Sequence, residues 1–332
     1  MAEALLQLLP VSTATKTDYY ISPSIVTYPP HHEFTLATGW NLANFHRHRS
    51  NNYGFLTSKE FIKDNNAVAL IGDSYVEANM LKEDDRLSKQ LENTLKNRPV
   101  YAMGGPGSSL LDYIERIHFA QEHFDIHDFV IVLELGDVRQ TLCGSGNVHG
   151  PCLDPDTFTV RSDAAPQKVG LAKKIMRESA LAQYLFSQLR LDPKDVLTKL
   201  FRNNPIKNIN NSNEIAPSEQ IPSVAVDKIV NTFLENLPKK EIGRTILIFD
   251  DYRDDYRDCL KKTDTSQTPV RNRFMQLASE AGVEMIDAKP IFCNFFQSTA
   301  LSLNVSAVDH HWNPLANKEI AAAVAAEFRK SE

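Results

Sequence analysis

Two short segments carry the residue types of a proton relay. Gly72-Asp73-Ser74-Tyr75 follows the apolar run Ala67-Val68-Ala69-Leu70-Ile71, which puts a serine hydroxyl at the end of a buried strand. Near the far end stands Asp309-His310-His311-Trp312-Asn313-Pro314. A serine is a weak nucleophile at neutral pH and needs a base to take its proton. An imidazole base in turn needs a carboxylate to hold its tautomer and stabilise the imidazolium. Ser74, His311 and Asp309 supply all three, with His310 as a rival base. A third segment, Met103-Gly104-Gly105-Pro106-Gly107-Ser108, is a turn whose glycines let the backbone approach a ligand and whose amides could stabilise an oxyanion.

Each piece also has a plainer reading. A serine after a strand can cap the next helix, an isolated Asp-x-His is often a surface feature, and a glycine turn can simply join a strand to a helix. Asp309, His310 and His311 could face a metal, but adjacent side chains rarely converge on one ion without further ligands. The combination is more specific than any part.

The elements that must position these residues follow a βαβ pattern. Five short apolar runs, at 67–71, 100–103, 129–135, 245–249 and 283–286, alternate with amphipathic stretches and are predicted to be buried parallel strands. A helix is expected over 84–95, with leucines four apart and acids at its start. A second opens at Ser108-Ser109 with a serine cap, and an alanine-rich helix spans 317–328. The expected fold is α/β, a three-layer sandwich with helices on both faces of a five-stranded parallel sheet. In such sheets ligands bind at the carboxyl ends of the strands, where Ser74 falls.

Residues 1–65 are expected to be an N-terminal extension packed on a core domain of 66–332. An insert at about 143–240 carries candidate helices at 169–190 and 225–237, separated by a polar stretch over 203–222, within which 208–217 reads as a mobile loop. With 36 basic and 42 acidic residues, the formal charge of -6 is too mild and dispersed to indicate nucleic acid or an anionic membrane surface as a partner. No apolar run reaches the eighteen residues of a membrane span. The first ten residues read as a short amphipathic helix or as the stub of an absent membrane anchor, the one route to membrane association.

Cys143, Cys152, Cys259 and Cys293 lack C-x-x-C spacing, which argues against a zinc cluster. Cys143 and Cys152 bracket the loop Gly144-Ser145-Gly146-Asn147 and could close it in an oxidising compartment; free thiols in a reducing cytosol are the other reading. A periplasmic or other extracytoplasmic location is favoured over the cytoplasm.

Taken together these motifs resemble the SGNH, or GDSL, hydrolases, serine esterases and O-acyltransferases on a flavodoxin-like sheet. Gly72-Asp73-Ser74-Tyr75 is similar to the family's first block, Gly107 to the glycine whose amide serves the oxyanion hole with that of Ser74, and His311-Trp312-Asn313-Pro314 to the last block. The resemblance covers 66–140 and 243–330, and more weakly Asn52-Tyr53-Gly54-Phe55. There are two departures. The family aspartate lies three residues before the histidine, where this chain has Val308; Asp309 is two before, a spacing that resembles the branch acting on O-acetyl groups of bacterial polysaccharides. The third block, Gly-x-Asn-Asp, is replaced by Glu134-Leu135-Gly136-Asp137-Val138-Arg139, which lacks the asparagine donor. Asp137 is the nearest polar side chain, and an ionised carboxylate cannot donate; either another group such as Arg139 substitutes, or activity is slow or absent. The α/β-hydrolase elbow Gly-x-Ser-x-Gly does not fit, because Val76 occupies its last position.

The resemblance implies a cofactor-free enzyme with Ser74 as nucleophile, His311 as base and Asp309 orienting it, acting on an acetyl or other short acyl ester of a small molecule or polysaccharide. The competing expectation is a non-catalytic carbohydrate-binding or assembly protein on the same scaffold.

Overall fold

Strands β1 (Val68–Gly72), β2 (Val100–Gly104), β3 (Asp128–Leu133), β4 (Thr245–Phe249) and β5 (Glu284–Asp287) form one parallel sheet in the spatial order β2-β1-β3-β4-β5. This order is flavodoxin-like, with the switch point between β1 and β3. The structure is a computed structural model and describes residues 2–22, 24–96, 98–145, 150–162, 169–191, 221–239, 242–250, 268–307 and 309–330.

Alternation along the strands sends side chains into two cores. Ala69, Ile71, Phe129, Ile131, Leu247 and Phe249 point to one face. They pack on helices α3 (Leu110–Phe124), α4 (Ser223–Glu235) and α5 (Thr268–Glu280). Val68, Leu70, Val130, Val132, Ile246 and Ile248 point to the other. There they meet α2 (Leu87–Thr94), α6 (Ala288–Thr299) and α7 (Pro314–Arg329). Both faces of the sheet are covered, which is why its strands read as continuous apolar runs rather than alternating ones.

Element boundaries depart from the sequence expectation where side chains capture backbone groups. Strand β3 ends at Leu133 rather than Leu135, because the Glu134 amide turns to donate to Asp137 Oδ2 at 2.9 Å. Helix α2 starts at Leu87, after a 3-10 turn over Glu83–Asp85. There Glu83 accepts from the Ser58 amide at 2.7 Å, and the Arg86 guanidinium donates to the carbonyls of Leu56, Ala78 and Leu81. Helix α3 does carry the expected serine cap: Ser109 and Asp112 form a capping box, with the Ser109 amide 2.8 Å from Asp112 Oδ2.

The chain divides into two compact units. The larger holds the sheet and comprises Thr17–His32, Arg49–Pro166 and Ile221–Glu332. The smaller comprises Met1–Lys16, Glu33–His48 and Gln167–Gln220. In it, the helix expected over 169–190 is broken at Ser179 into Leu171–Glu178 and Ala180–Ala182, the latter continuing as a π-helical turn over Gln183–Gln188. The break has a partner: the Glu3 carboxylate accepts from the Ser179 hydroxyl and from the amides of Ala180 and Leu181, each at 2.9 Å, and those bonds hold Glu3 down to about pKa 2. Most of the polar stretch at 203–222, including the loop at 208–217, lies outside the described residues.

Cys143 and Cys152 form a disulfide, closing a loop of sequence separation 9. Cys293 is also disulfide-bonded, while Cys259 lies outside the described residues. No helix among the described residues is long and apolar enough to cross a membrane.

Candidate active site

Ser74 opens α1 (Ser74–Glu77), a single turn immediately after β1. The capping role belongs to Asp73, whose Oδ1 accepts from the Tyr75 amide at 2.9 Å. That leaves the Ser74 hydroxyl for another partner. Gly72 and Gly104 make the turn possible: a Cβ on Gly104 would lie 2.3 Å from the Glu77 amide nitrogen, and one on Gly72 would lie 2.6 Å from a Val76 methyl.

The partner is His311. Its Nε2 lies 2.8 Å from Ser74 Oγ, and its Nδ1 lies 2.6 Å from Asp309 Oδ1. The same Asp309 oxygen accepts from the His311 amide at 3.1 Å. A carboxylate facing Nδ1 accepts a hydrogen bond from it, so Nδ1 carries the hydrogen and Nε2 is left to accept from the serine. His310 turns away: its Nδ1 lies 3.1 Å from Asn304 Nδ2. No group of three or more His, Cys, Asp or Glu arranged to hold a metal is found among the described residues.

The histidine segment is held from several sides. Trp312 is buried and packs edge-on against Tyr75 and Phe292. The Tyr75 ring sits 4.8 Å from that of His311, and its hydroxyl donates to the His310 carbonyl at 3.4 Å. Asn313 caps α7 by accepting from the amides of Leu315 and Ala316, while its own amide group donates to the Ser302 carbonyl at 2.7 Å. Pro314 at the first helical position loses nothing by lacking an N–H there.

Gly107 lies on the loop that follows β2, the strand neighbouring the serine strand, with φ at +71°. The Gly105 amide donates to the Gly72 carbonyl at 3.2 Å, which ties this loop to the residue two before the serine. Fully buried Arg116 supports the loop from below: its Nη2 donates to Ser108 Oγ at 2.6 Å, and that hydroxyl donates to the Gly105 carbonyl at 2.7 Å.

Acids crowd beneath the site. Burial raises Asp73 above the usual carboxylate range. Burial and the neighbouring Asp73 lift Glu134 to about 7. Asp137 is pushed well above its ordinary value by burial, Asp73 and Glu134. Burial, Asp73 and Glu134 thus favour the neutral form of Asp137, the form that can donate. Its Oδ2 accepts from the Glu134 amide and from the Tyr113 hydroxyl at 3.1 Å, and its Oδ1 has no partner. Arg139 is half-buried on the turn Asp137–Gln140, where its carbonyl accepts from the Ser145 hydroxyl at 2.5 Å. For His311, burial lowers the pKa, but the Asp309 hydrogen bond and the charges of Asp309, Asp73 and Glu77 outweigh it and leave the ring above its usual value.

No protein-family model and no curated protein sequence matches the chain. Among solved structures it is similar to the lipase/acylhydrolase from Enterococcus faecalis, at 12% identity and a TM-score of 0.42 over 80% of this chain and 96% of that one. It is also similar to a member of the lipolytic protein G-D-S-L family from Veillonella parvula DSM 2008, at 14% identity and a TM-score of 0.37 over 79% and 96%. A third is the inhibitor-bound aryl esterase of M. smegmatis, at 12% identity and a TM-score of 0.35 over 80% and 98%. The chemistry assigned to the site below rests on its own geometry.

Sequence reasoning singled out the triad residues but gave no role to Asp73, Tyr75, Arg116 or Glu134. Asp73 and Tyr75 were visible as neighbours of the serine. Arg116 and Glu134 had no signal, because a charge among apolar residues of a helix or strand end reads as a solvated position until burial is known.

Proposed function

We propose that the chain is a serine hydrolase of the SGNH (GDSL) family, an esterase or O-acyltransferase that removes or moves an acetyl or similarly short acyl group on a carbohydrate. The single observation that carries this reading is the continuous relay from Ser74 Oγ through His311 to Asp309, with both contacts at hydrogen-bond distance. The spacing of Asp309 two residues ahead of His311, similar to the branch that acts on O-acetyl groups, supports the choice of acyl group and sugar.

In this mechanism Ser74 Oγ attacks the ester carbonyl carbon while His311 Nε2 takes its proton. Asp309 stabilises the imidazolium so formed. The negative charge moves to the carbonyl oxygen, which the amides of Ser74 and Gly107 receive. Collapse breaks the bond to the leaving alkoxide, and His311 returns the proton to it, releasing an alcohol and leaving an acyl-Ser74 ester. Water or a sugar hydroxyl then repeats the sequence on that ester. The Cys143–Cys152 disulfide supports a site of action in an oxidising, extracytoplasmic compartment.

A fluorophosphonate probe and a chromogenic acetyl ester test the reading together. Labelling of Ser74, and loss of both labelling and turnover in Ser74→Ala with an unchanged thermal transition, are expected. A folded wild-type protein that neither takes the label nor turns over the ester would instead favour the non-catalytic scaffold.

A further inference from the structure

The smaller unit exposes apolar side chains out of proportion to its size. It contains about a quarter of the chain, yet nine of the fifteen large hydrophobic residues exposed among the described residues belong to it. They come from several elements. Leu5 and Leu8 lie in and just after the helix Ala2–Leu6, Trp40 sits at the tip of the hairpin joining Glu33–Thr38 to Ala43–Arg49, and Leu171 and Ile175 lie on the helix Leu171–Glu178. Trp40 is 79% exposed and Leu8 is 84% exposed. These elements are anchored within the unit rather than loose. Glu3 caps the segment after Ser179, the Tyr184 hydroxyl donates to the Trp40 carbonyl, and Gln188 Nε2 donates to the Gly39 carbonyl at 2.7 Å.

Exposed apolar groups alone would suit a protein or a lipid; the charge distribution separates the two. Among the described residues the smaller unit carries six Lys and Arg against three Asp and Glu, whereas the whole chain carries thirty-six against forty-two. An anionic lipid surface attracts such an excess of basic side chains. On the helix Leu171–Glu178, Leu171, Ile175 and Met176 are exposed on one side, and Lys173, Lys174 and Arg177 line the other. Leucine and isoleucine can enter the acyl boundary while the long basic stems reach back to the headgroups, and an exposed tryptophan favours the same level. Two of the unit's acids are already engaged, Glu3 as a cap and Glu178 with Lys16 at 2.8 Å.

We propose that the smaller unit docks on an anionic phospholipid surface, inserting Trp40 and the Leu171–Ile175 stripe while its basic side chains contact the headgroups. This docking needs no spanning segment and is independent of whether Ser74 acts on esters.

The test uses the full chain with phosphatidylcholine vesicles, with and without phosphatidylglycerol, in flotation at physiological salt. Co-flotation with the phosphatidylglycerol vesicles alone is expected. The fluorescence should shift blue, and that shift should vanish in Trp40→Phe, because the other tryptophan, Trp312, is already buried. Leu171→Glu and the double variant Lys174→Glu/Arg177→Glu should each weaken binding by about tenfold or more, while turnover of a soluble ester stays as in wild type. Absence of flotation, equal flotation with both vesicle types, or unweakened binding by these variants overturns the proposal. So does a dimer in sedimentation equilibrium that Leu171→Glu dissolves, which would assign the apolar surface to a second copy of the chain.

Discussion

His311 Nε2 lies 2.8 Å from Ser74 Oγ across a sequence separation of 237 residues. The parallel sheet makes this meeting possible. Serine leaves the carboxyl end of β1, and the histidine segment precedes α7, which packs on the face of the same sheet. Neither segment works alone, so the site exists only when the whole sheet has folded.

Asp309→Asn separates orientation from binding. The asparagine can offer an N–H to Nδ1 and so favour the tautomer in which Nε2 carries the proton and cannot accept from Ser74. Turnover should fall by about four orders of magnitude with little change in KM. Steady-state kinetics on an acetyl ester measure both, and a loss confined to KM would show that Asp309 acts in binding.

His311 must be neutral to take the serine proton, and its pKa is raised above the ordinary histidine value. Activity should therefore be present at high pH and lost as pH falls through that raised value, with the acidic limb of kcat/KM above pH 6.5. In Asp309→Asn the main raising influence is gone and burial, which lowers the pKa, gains weight. The residual activity should have its limb moved to lower pH. A limb at the same pH in both proteins would mean that another group controls the profile.

Asp137 occupies the region where the sequence lacks an oxyanion asparagine. An asparagine there can keep its carbonyl oxygen where Oδ2 accepts from Glu134 and Tyr113 and place its amide group where Oδ1 has no partner. Asp137→Asn should therefore fold normally and keep or raise kcat. Asp137→Leu leaves the Glu134 amide without its acceptor and the Tyr113 hydroxyl with the Ser108 carbonyl at 3.3 Å, which costs about 1–3 kcal/mol of stability. Equal losses of kcat in the two variants would show that the position contributes shape rather than hydrogen bonding.

The strands and the short motifs that carry Ser74 and His311 were legible in the sequence because each is a local pattern. Ala67 to Ile71 is apolar because it is buried on both faces, and Ser74 follows it because turns at that rim carry chemistry. What the sequence withheld depends on contacts between remote segments. Glu3 stops a helix at Ser179 from 176 residues away, and Arg116 props the glycine loop from inside α3. The surroundings of Asp137 were hidden for the same reason, since burial and the remote neighbour Asp73 raise its pKa together with nearby Glu134.

Glu77 gives the fold a pH dependence that is separate from catalysis. Burial lifts it to about 8 against the opposing influence of Arg86, His311 and Arg116, and the Tyr28 hydroxyl donates to its Oε1. In the unfolded chain it titrates like an ordinary glutamate, near 4.3. Between these values the native state holds a proton that the unfolded state releases, so this group's contribution is fully present below about pH 4.3 and declines as pH rises toward 8. Glu77→Gln retains an acceptor for Tyr28 and removes the titration. The variant and the wild type should have similar stability at pH 5, and the variant should be more stable by about 2 kcal/mol or more at pH 8. Urea melts at the two pH values measure the difference; a constant gap would mean that Glu77 keeps the same charge in both states across this range.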